Sequence, residues 1–459
     1  MLIEPGVISD LKSVLGPDNV ITHSSELFAY SYDGQPINAI PDAMVMASNV
    51  QEVAEIVRFA GSHHIPLVAR GAGSGMTGGS VPEKGGIVLN LELMNRIIHI
   101  NEEDLIGYVQ PGVITGEFQK EAAGRGLFYP PEPASSAFST IGGNVAESAG
   151  GLGCVKYGLT KQFVEGLEFV TARGNIVRTG VYTDKDSPFD AGAILAGSEG
   201  TLAIITEIAI RLIPLPESRI TVLALFRTLV DAAHASNSVL SSGVGPAVLE
   251  FMDGKCIDTV REYADVEIPE GTGALLIVEL DGDGDYISAG HELLLDVLKR
   301  SDPISVKSAR NDEERKELWK LRKSLSPSIG KIAPLKFNED ICVPISKIPD
   351  ICAFIEDLGS KRDVMVVSFG HSGDGNLHVN FMTHWKKPDE VERVKQGVDD
   401  LFREVVRIGG TLSGEHGIGI AKRPFIPIAL DEATIEFEKK IKRAFDPDNI
   451  LNPGKIFPE

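Results

Sequence analysis

Between two short apolar runs, IPLVA at residues 65–69 and IVLNL at 87–91, the chain inserts RGAGSGMTGGSVPEKGG. No helix can begin in that insert. Gly78, Gly79, Pro82, Gly85 and Gly86 follow one another closely, and no apolar periodicity appears before the next run. The two runs have the length and β-branched content of buried strands. Upstream, SNVQEVAEIVRFAGSHH places Val50, Val53, Ile56, Val57 and Ala60 on one helical face, with Ser48 and Gln51 positioned as a capping box. The order is therefore helix, strand, glycine loop, strand. Gly73, Gly75 and Gly78 satisfy G-x-G-x-x-G, but the dinucleotide fingerprint requires a helix starting in the loop with its N-terminus at the pyrophosphate. A Rossmann fold is excluded on that ground. The loop can still bind a pyrophosphate, because successive glycine N–H groups form an anion-binding nest. The bland alternative is a surface hairpin.

Two further small-residue stretches follow. PPEPASSAFSTIGGNVAESAGGLGCVKYG leaves a long piece of backbone free of bulk, which suits close approach to a flat ligand. In AGSEGTLAIITEIAIRL a turn through Gly197 and Gly200 feeds a strand with Ile204, Thr206, Ile208 and Ile210 expected on one side. Three such segments within about one domain favour a large, backbone-lined site over unrelated loops. With 459 residues, the chain exceeds what one core organises. Glycine loops give way near Leu215 and Pro216 to amphipathic helices such as TLVDAAHASNSVLSSG and DEVERVKQGVDDLFREVVRIGG. We expect a first domain over 1–216, a substrate or cap domain over 217–410, and a segment 411–459 that returns to the first. The formal charge of −21 argues against binding to nucleic acid or to an anionic membrane surface. The N-terminus has neither a basic nor an apolar leader region, and no stretch reads as a spanning helix, so a cytoplasmic protein is expected. Cys154, Cys256, Cys342 and Cys352 are far apart and form no CxxC, which points to plain thiols.

The segments RGAGSGMTGG, PPEPASS with STIGGNVAESAGG, and GSEGTLAIITE resemble, in order and spacing, the FAD-binding domain of the vanillyl-alcohol oxidase and p-cresol methylhydroxylase family. Downstream motifs narrow the resemblance to the branch holding FAD-linked D-lactate dehydrogenases, glycolate oxidase catalytic subunits and D-2-hydroxyglutarate dehydrogenases. It implies an α+β fold: a two-lobed FAD-binding domain of the p-cresol methylhydroxylase (PCMH) type and an α+β substrate or cap domain. It further implies that Arg70, Gly71, Ala72, Gly73, Ser74, Gly75, Met76, Thr77, Gly78 and Gly79 wrap the pyrophosphate. Pro133, Ser135, Ser136, Thr140, Gly142, Gly143, Asn144, Ser148 and Ala149 then run past the isoalloxazine. Gly200 and Ile205 close the site, and Asn452 approaches the cofactor from the tail. Some members of that superfamily bond the flavin to a histidine or cysteine. The first loop here offers Ser74 and Met76 and no histidine, so dissociable FAD is expected.

In VMVVSFGHSGDGNLHVNFM, Asp374-Gly375 reads as a two-residue type I′ hairpin turn. Pairing about that turn puts His371 directly opposite His378, with Cβ atoms about 4.5–5.5 Å apart, suited to joint ligation of one ion. SGEHGIG adds a carboxylate at Glu415 beside His416, and in extended backbone those neighbours point to opposite sides. Two histidines and a carboxylate suit Zn²⁺, Mn²⁺ or Fe²⁺. The resemblance assigns the same division, with His371, His378 and Glu415 as ligands and His416 as the base.

A substrate carboxylate needs cations. Asn311 and Glu314 read as the capping box of a helix carrying Arg322, with Ser326 and Lys336 following. Composition alone makes these surface charges; the resemblance implies that Arg322, Ser326, Lys336 and Asn380 bind substrate. The family often has threonine where Ser326 stands. The implied reaction is oxidation of a small D-2-hydroxy acid, D-lactate favoured, to its 2-oxo acid. In that reaction the acid chelates the metal, His416 takes the hydroxyl proton and hydride passes to flavin N5. Glycolate and D-2-hydroxyglutarate are the alternatives, and outside this class a non-redox metal hydrolase. With no cysteine motif, electrons must leave through a partner: an electron-transferring flavoprotein, an iron-sulfur subunit or a quinone-linked chain. A homodimer is compatible with all of this.

Overall fold

The computed structural model describes residues 3–183 and 191–458, and the chain divides into two compact units. The first comprises Met1–Ala149, Leu159–Leu215 and Glu415–Glu459; the second comprises Gly150–Gly158 and Pro216–Gly414.

In the first unit, β1 (Val20–Ile21), β2 (Ala43–Met46), β3 (Leu67–Arg70) and β4 (Ile87–Asn90) form a sheet of order β1-β2-β4-β3. β3 and β4 are parallel neighbours, as are β2 and β4. The glycine loop is thus a crossover without a helix, not a hairpin. The helix Val50–Ser62 buries Val53, Ala54, Ile56, Val57 and Ala60 on the hydrophobic core behind these strands. Its cap differs from expectation. Asn49 accepts from Glu52 N–H, while the Ser48 N–H donates to Glu52 Oε2 at 2.7 Å. The box is shifted by one residue because Asn49, with ψ 165°, is the last extended residue.

A second sheet contains β5 (Ile97–Asn101), β6 (Ile106–Val109), β8 (Val164–Thr171), β9 (Ile176–Arg178) and β10 (Ala203–Arg211), ordered β5-β6-β10-β8-β9 and antiparallel throughout. The short strands β7 (Leu127–Phe128) and β11 (Ile213–Pro214) pair separately. β10 does not present one apolar face. Register shifts after Ile205 and Ala209 bend it, and Ala203, Ile205 and Ala209 are buried along with Ile204, Ile208 and Ile210. Thr206 is also buried, donating to Glu168 Oε1 at 3.1 Å.

The second unit is built on one antiparallel sheet of seven strands: β12 (Ser218–Phe226), β13 (Val248–Asp253), β14 (Ala274–Gly282), β15 (Ser305–Ser308), β16 (Leu335–Cys342), β17 (Met365–His371) and β18 (Asn376–Thr383), ordered β15-β12-β14-β13-β17-β18-β16. Helices Leu229–Ser241 and Pro388–Arg407 occupy the segments whose periodicity predicts them. In the latter, Val394, Val398, Leu401, Phe402 and Val405 are buried along one stripe, the spacing of a core-facing helix. Among the described residues no helix is long and apolar enough to cross a membrane. All four cysteines are free thiols, two of them buried.

Candidate active site

The three small-residue segments and the chain's tail converge in the first unit. A Cβ on Gly71 would overlap Thr140 Oγ1, so the first loop lies directly on the second segment. That second segment is not extended. Ile141–Glu147 forms a short helix whose Thr140 cap accepts from Gly143 N–H at 3.3 Å, and Ser148 ends it in the left-handed region. Gly142 packs against Pro111, and Asn144 Nδ2 donates to Thr115 Oγ1 at 2.7 Å. Pro133, Ser135 and Ser136 form the turn before it, with Ser136 N–H on Pro133 O at 2.8 Å. The Ala149 carbonyl accepts from Thr160 N–H at 3.1 Å. The third segment is tied to this helix by Gly197 N–H on Val145 O and Glu199 N–H on Ala146 O. Gly200 follows at φ +68°, and Ile205 lies buried in β10. Asn452 donates from Nδ2 to Gly79 O at 2.8 Å and to Glu199 O at 2.7 Å, joining tail, first loop and third segment through one amide.

Within the loop, Arg70 fills the interior. Its Nη1 donates to Tyr32 O and Ser80 Oγ, and a Cβ on Gly73 would overlap its guanidinium. Arg70 therefore shapes the loop, leaving the half-buried backbone of Ala72, Ser74, Gly75 and Met76 free of bulk, while Thr77, Gly78 and Gly79 are buried. Three buried oxygens beside these segments, Asp33 Oδ2, Glu147 Oε2 and Asn452 Oδ1, lack hydrogen-bond partners among the described residues. Burial raises the Asp33 carboxyl to about 6, and burial, then Glu199, pushes Glu147 well above the ordinary range. A protonated Glu147 carboxyl is a donor, Asp33 and the Asn452 amide oxygen offer acceptors, and the glycine N–H groups add donors, so the segments fit a ligand that carries both anionic oxygens and polar hydrogens. A dinucleotide such as FAD, with its phosphates and hydroxyls, has both.

The other cluster lies on one face of the seven-stranded sheet. His371 is not opposite His378. β17 and β18 pair His371 with Asn376 and Phe369 with His378, around a four-residue loop, Ser372–Gly375. Asp374 Oδ1 accepts from Asn376 N–H at 3.2 Å, and Gly375 sits at φ +87° with Val343 O against its Cα. These contacts hold the wider loop in place of the two-residue turn. A register change of two residues preserves the face, so the imidazoles become diagonal neighbours with ring centroids 5.3 Å apart. Their ligand nitrogens lie within 4.8 Å of each other, as do those of His378 and the carboxylate of Asp340. Nitrogen and oxygen donors at this spacing fit a divalent ion.

Sequence reasoning missed what holds this cluster. Glu250 on β13 faces His371 across the strand pair, is 0% exposed, and binds His371 Nδ1 through Oε1. Its Oε2 accepts from Arg322 Nε at 2.6 Å. Arg322 is buried rather than on the surface, stacked 4.7 Å from the Phe369 ring centre, on the helix Asp312–Lys323 capped by Asn311. A lone carboxylate inside the apolar run VLEFM was the available signal. Asn380 is fully buried, with its amide engaged by Asn338 and by the carbonyls of Val367 and His378. Lys336 shares the face of Asn338 and Asp340, and burial lowers the pKa of its half-buried ammonium. The backbone of Ser326 lies in the helix Leu325–Ile329, but its side chain is outside the described residues. Asp340, also missed, accepts from Gly414 N–H at 2.7 Å and from Ser413 Oγ at 3.0 Å, fixing the chain just before Glu415.

Glu415 and His416 begin the returning segment of the first unit. Their side chains do not diverge as extended backbone predicts, since His416 Nε2 lies 3.9 Å from Glu415 Oε1. The segment is a series of bends with Gly417 at φ +82° and Gly419 at φ +51°. The His416 carbonyl accepts from Thr77 Oγ1 at 3.2 Å, linking it to the first loop.

Residues 41–180 match the FAD binding domain model, and residues 215–456 match the model of the C-terminal domain of FAD linked oxidases. The glycolate oxidase subunit GlcD of Bacillus subtilis is 39% identical over 99% of this chain and 97% of its own. The D-lactate dehydrogenase of Anaerostipes hadrus is 32% identical over 99% and 98%, and the D-2-hydroxyglutarate dehydrogenase of Stutzerimonas stutzeri 31% over 99% and 100%. Among solved structures, p-cresol methylhydroxylase superposes with a TM-score of 0.83 at 19% identity, over 99% of this chain and 98% of that one, so the fold is of the PCMH type. An FAD-binding domain removes the basis for a metal-only hydrolase. The chain belongs to the FAD-linked oxidases, carrying both their FAD-binding domain and their C-terminal domain.

Proposed function

We propose that this protein oxidises a small D-2-hydroxy acid to the 2-oxo acid, D-lactate first and glycolate next, with the help of a divalent metal. The observation that carries the reading is the buried chain His371, Glu250, Arg322, in which one carboxylate serves a metal-ligand candidate and a carboxylate-binding candidate at once. Relatives named for glycolate, D-lactate and D-2-hydroxyglutarate support the substrate class. Because Glu250 already neutralises Arg322, the pocket's cations suit one substrate carboxylate better than two.

Bound FAD, held by the glycine loop, supplies the two-electron acceptor. A divalent ion held by His371, His378 and Glu415 would supply Lewis-acid polarisation of the substrate hydroxyl. Glu250, as acceptor at Nδ1 of His371, fixes the tautomer that leaves Nε2 for ligation. Arg322 and Lys336 hold the substrate carboxylate, and His416 takes the hydroxyl proton as Cα gives up its hydride and the C–O bond becomes a carbonyl. The two electrons then pass to an acceptor protein or a quinone.

An anaerobic absorbance scan with D-lactate, L-lactate, glycolate and D-2-hydroxyglutarate, each with and without chelator, tests this. Bleaching of the flavin band by a short D-acid or glycolate, lost after chelation, is expected. Bleaching that persists in metal-free protein overturns the metal, and bleaching by D-2-hydroxyglutarate alone overturns the substrate. Acid precipitation should release the yellow colour, as non-covalent FAD requires.

A further inference from the structure

The chain leaving His416 is gripped by a residue that no motif role accounts for. Glu199 is 6% exposed and sits at φ +52°, in the left-handed region that glutamate rarely adopts. Every polar group on it is used. Its N–H donates to Ala146 O at 2.8 Å, its carbonyl accepts from Asn452 Nδ2 at 2.7 Å, and its carboxylate accepts Ile418 N–H on Oε1 and Gly419 N–H on Oε2, both at 2.7 Å. A Cβ on Gly417 would lie 2.7 Å from Glu199 Oε1 and 2.6 Å from Glu147 Oε2, and the residue sits at φ +82°, so glycine lets the backbone pass between the two carboxyls without strain or displacement of either. The four anchors connect the helix Ile141–Glu147, the third glycine segment, the tail and the stretch after His416. Strain held by so many bonds marks a position selected for geometry, because a glycine there would relieve φ and lose the clamp.

From this arrangement we infer that Glu199 is a positioning residue for His416, holding its backbone by a bidentate grip two and three residues downstream. This rests on the reading of His416 as the base. Burial raises both neighbouring carboxyls, Glu147 well above the ordinary range, and on Glu199 the two backbone N–H donors oppose that rise. Lys422, 1% exposed, and Lys455, 3% exposed, are the cations that face Glu199.

The test is a double-mutant cycle on the FAD-loaded enzyme with Glu199→Gln and His416→Ala. Glutamine keeps the volume but replaces one acceptor by an NH₂ that opposes a backbone N–H. We expect kcat to fall roughly 100-fold, the scale of an ångström-sized misplacement, with KM and bound FAD per chain unchanged. Adding Glu199→Gln to His416→Ala should then cost nothing further. A kcat loss of the same factor in the His416→Ala background overturns the positioning role, and so does a loss that appears only as missing FAD or a raised KM. Full activity of His416→Ala alone sinks the base assignment instead. If Glu199→Gln does not fold, hydrogen exchange of the wild-type amides of Ile418 and Gly419 decides. Protection supports the clamp, and exchange as fast as an open loop overturns it.

Discussion

Replacing Glu250 by glutamine changes no volume, yet it should be among the most damaging single changes in the second unit. Glu250 is fully buried and divides its oxygens between His371 and Arg322, which is itself 7% exposed. Glutamine offers one acceptor and one donor, so either the imidazole or the guanidinium loses its partner, and Arg322 is left as a buried charge with no counter-ion. Removing one member of a buried pair typically costs about 3–5 kcal/mol, against about 1 kcal/mol at most for an exposed pair. Glu250→Gln should therefore lose about 3–5 kcal/mol, and Arg322→Met a comparable amount. The double variant should recover roughly 2–3 kcal/mol relative to their sum, since the two sites are in contact. Urea unfolding followed by tryptophan fluorescence isolates the effect, because the chain's two tryptophans, Trp319 and Trp385, both lie in the second unit. A loss below about 1 kcal/mol for Glu250→Gln, or strict additivity in the double variant, would refute the view of Glu250 as a buried shared counter-ion.

Two further outcomes follow from particular positions. Gly375→Ala forces a side chain into φ +87° and against Val343 O, so it should destabilise the hairpin by about 1–3 kcal/mol and lower metal retention, measured by denaturation and by metal content after gel filtration. In flavin-free protein, Asp33 has its carboxyl raised by burial from 3.8 to about 6. A raised folded-state value means its contribution is fully present below pH 3.8 and lost as pH rises through about 6, a swing of roughly 3 kcal/mol that Asp33→Asn should abolish in pH-dependent melting.

The local chemistry of this chain determined much by itself. A glycine- and proline-studded insert between two β-branched runs cannot nucleate a helix, so a helix-free loop was legible, and with it the exclusion of a Rossmann site, whereas the parallel crossover that the loop makes was not. Helices with a clear apolar stripe were legible too, as was the parity that puts His371 and His378 on one face, because a strand's side chains alternate with a period of two. What escaped depends on groups far apart in the chain. The hairpin register was two residues off because Val343, in the chain just past β16, occupies the space beside Gly375. Glu250, Asp340 and Glu199 acquire their partners 121, 74 and 219 residues away, at His371, Gly414 and Ile418. Only the folded sheet and the converging loops bring those atoms within hydrogen-bond range, and desolvation there turns ordinary carboxylates into fixed anchors.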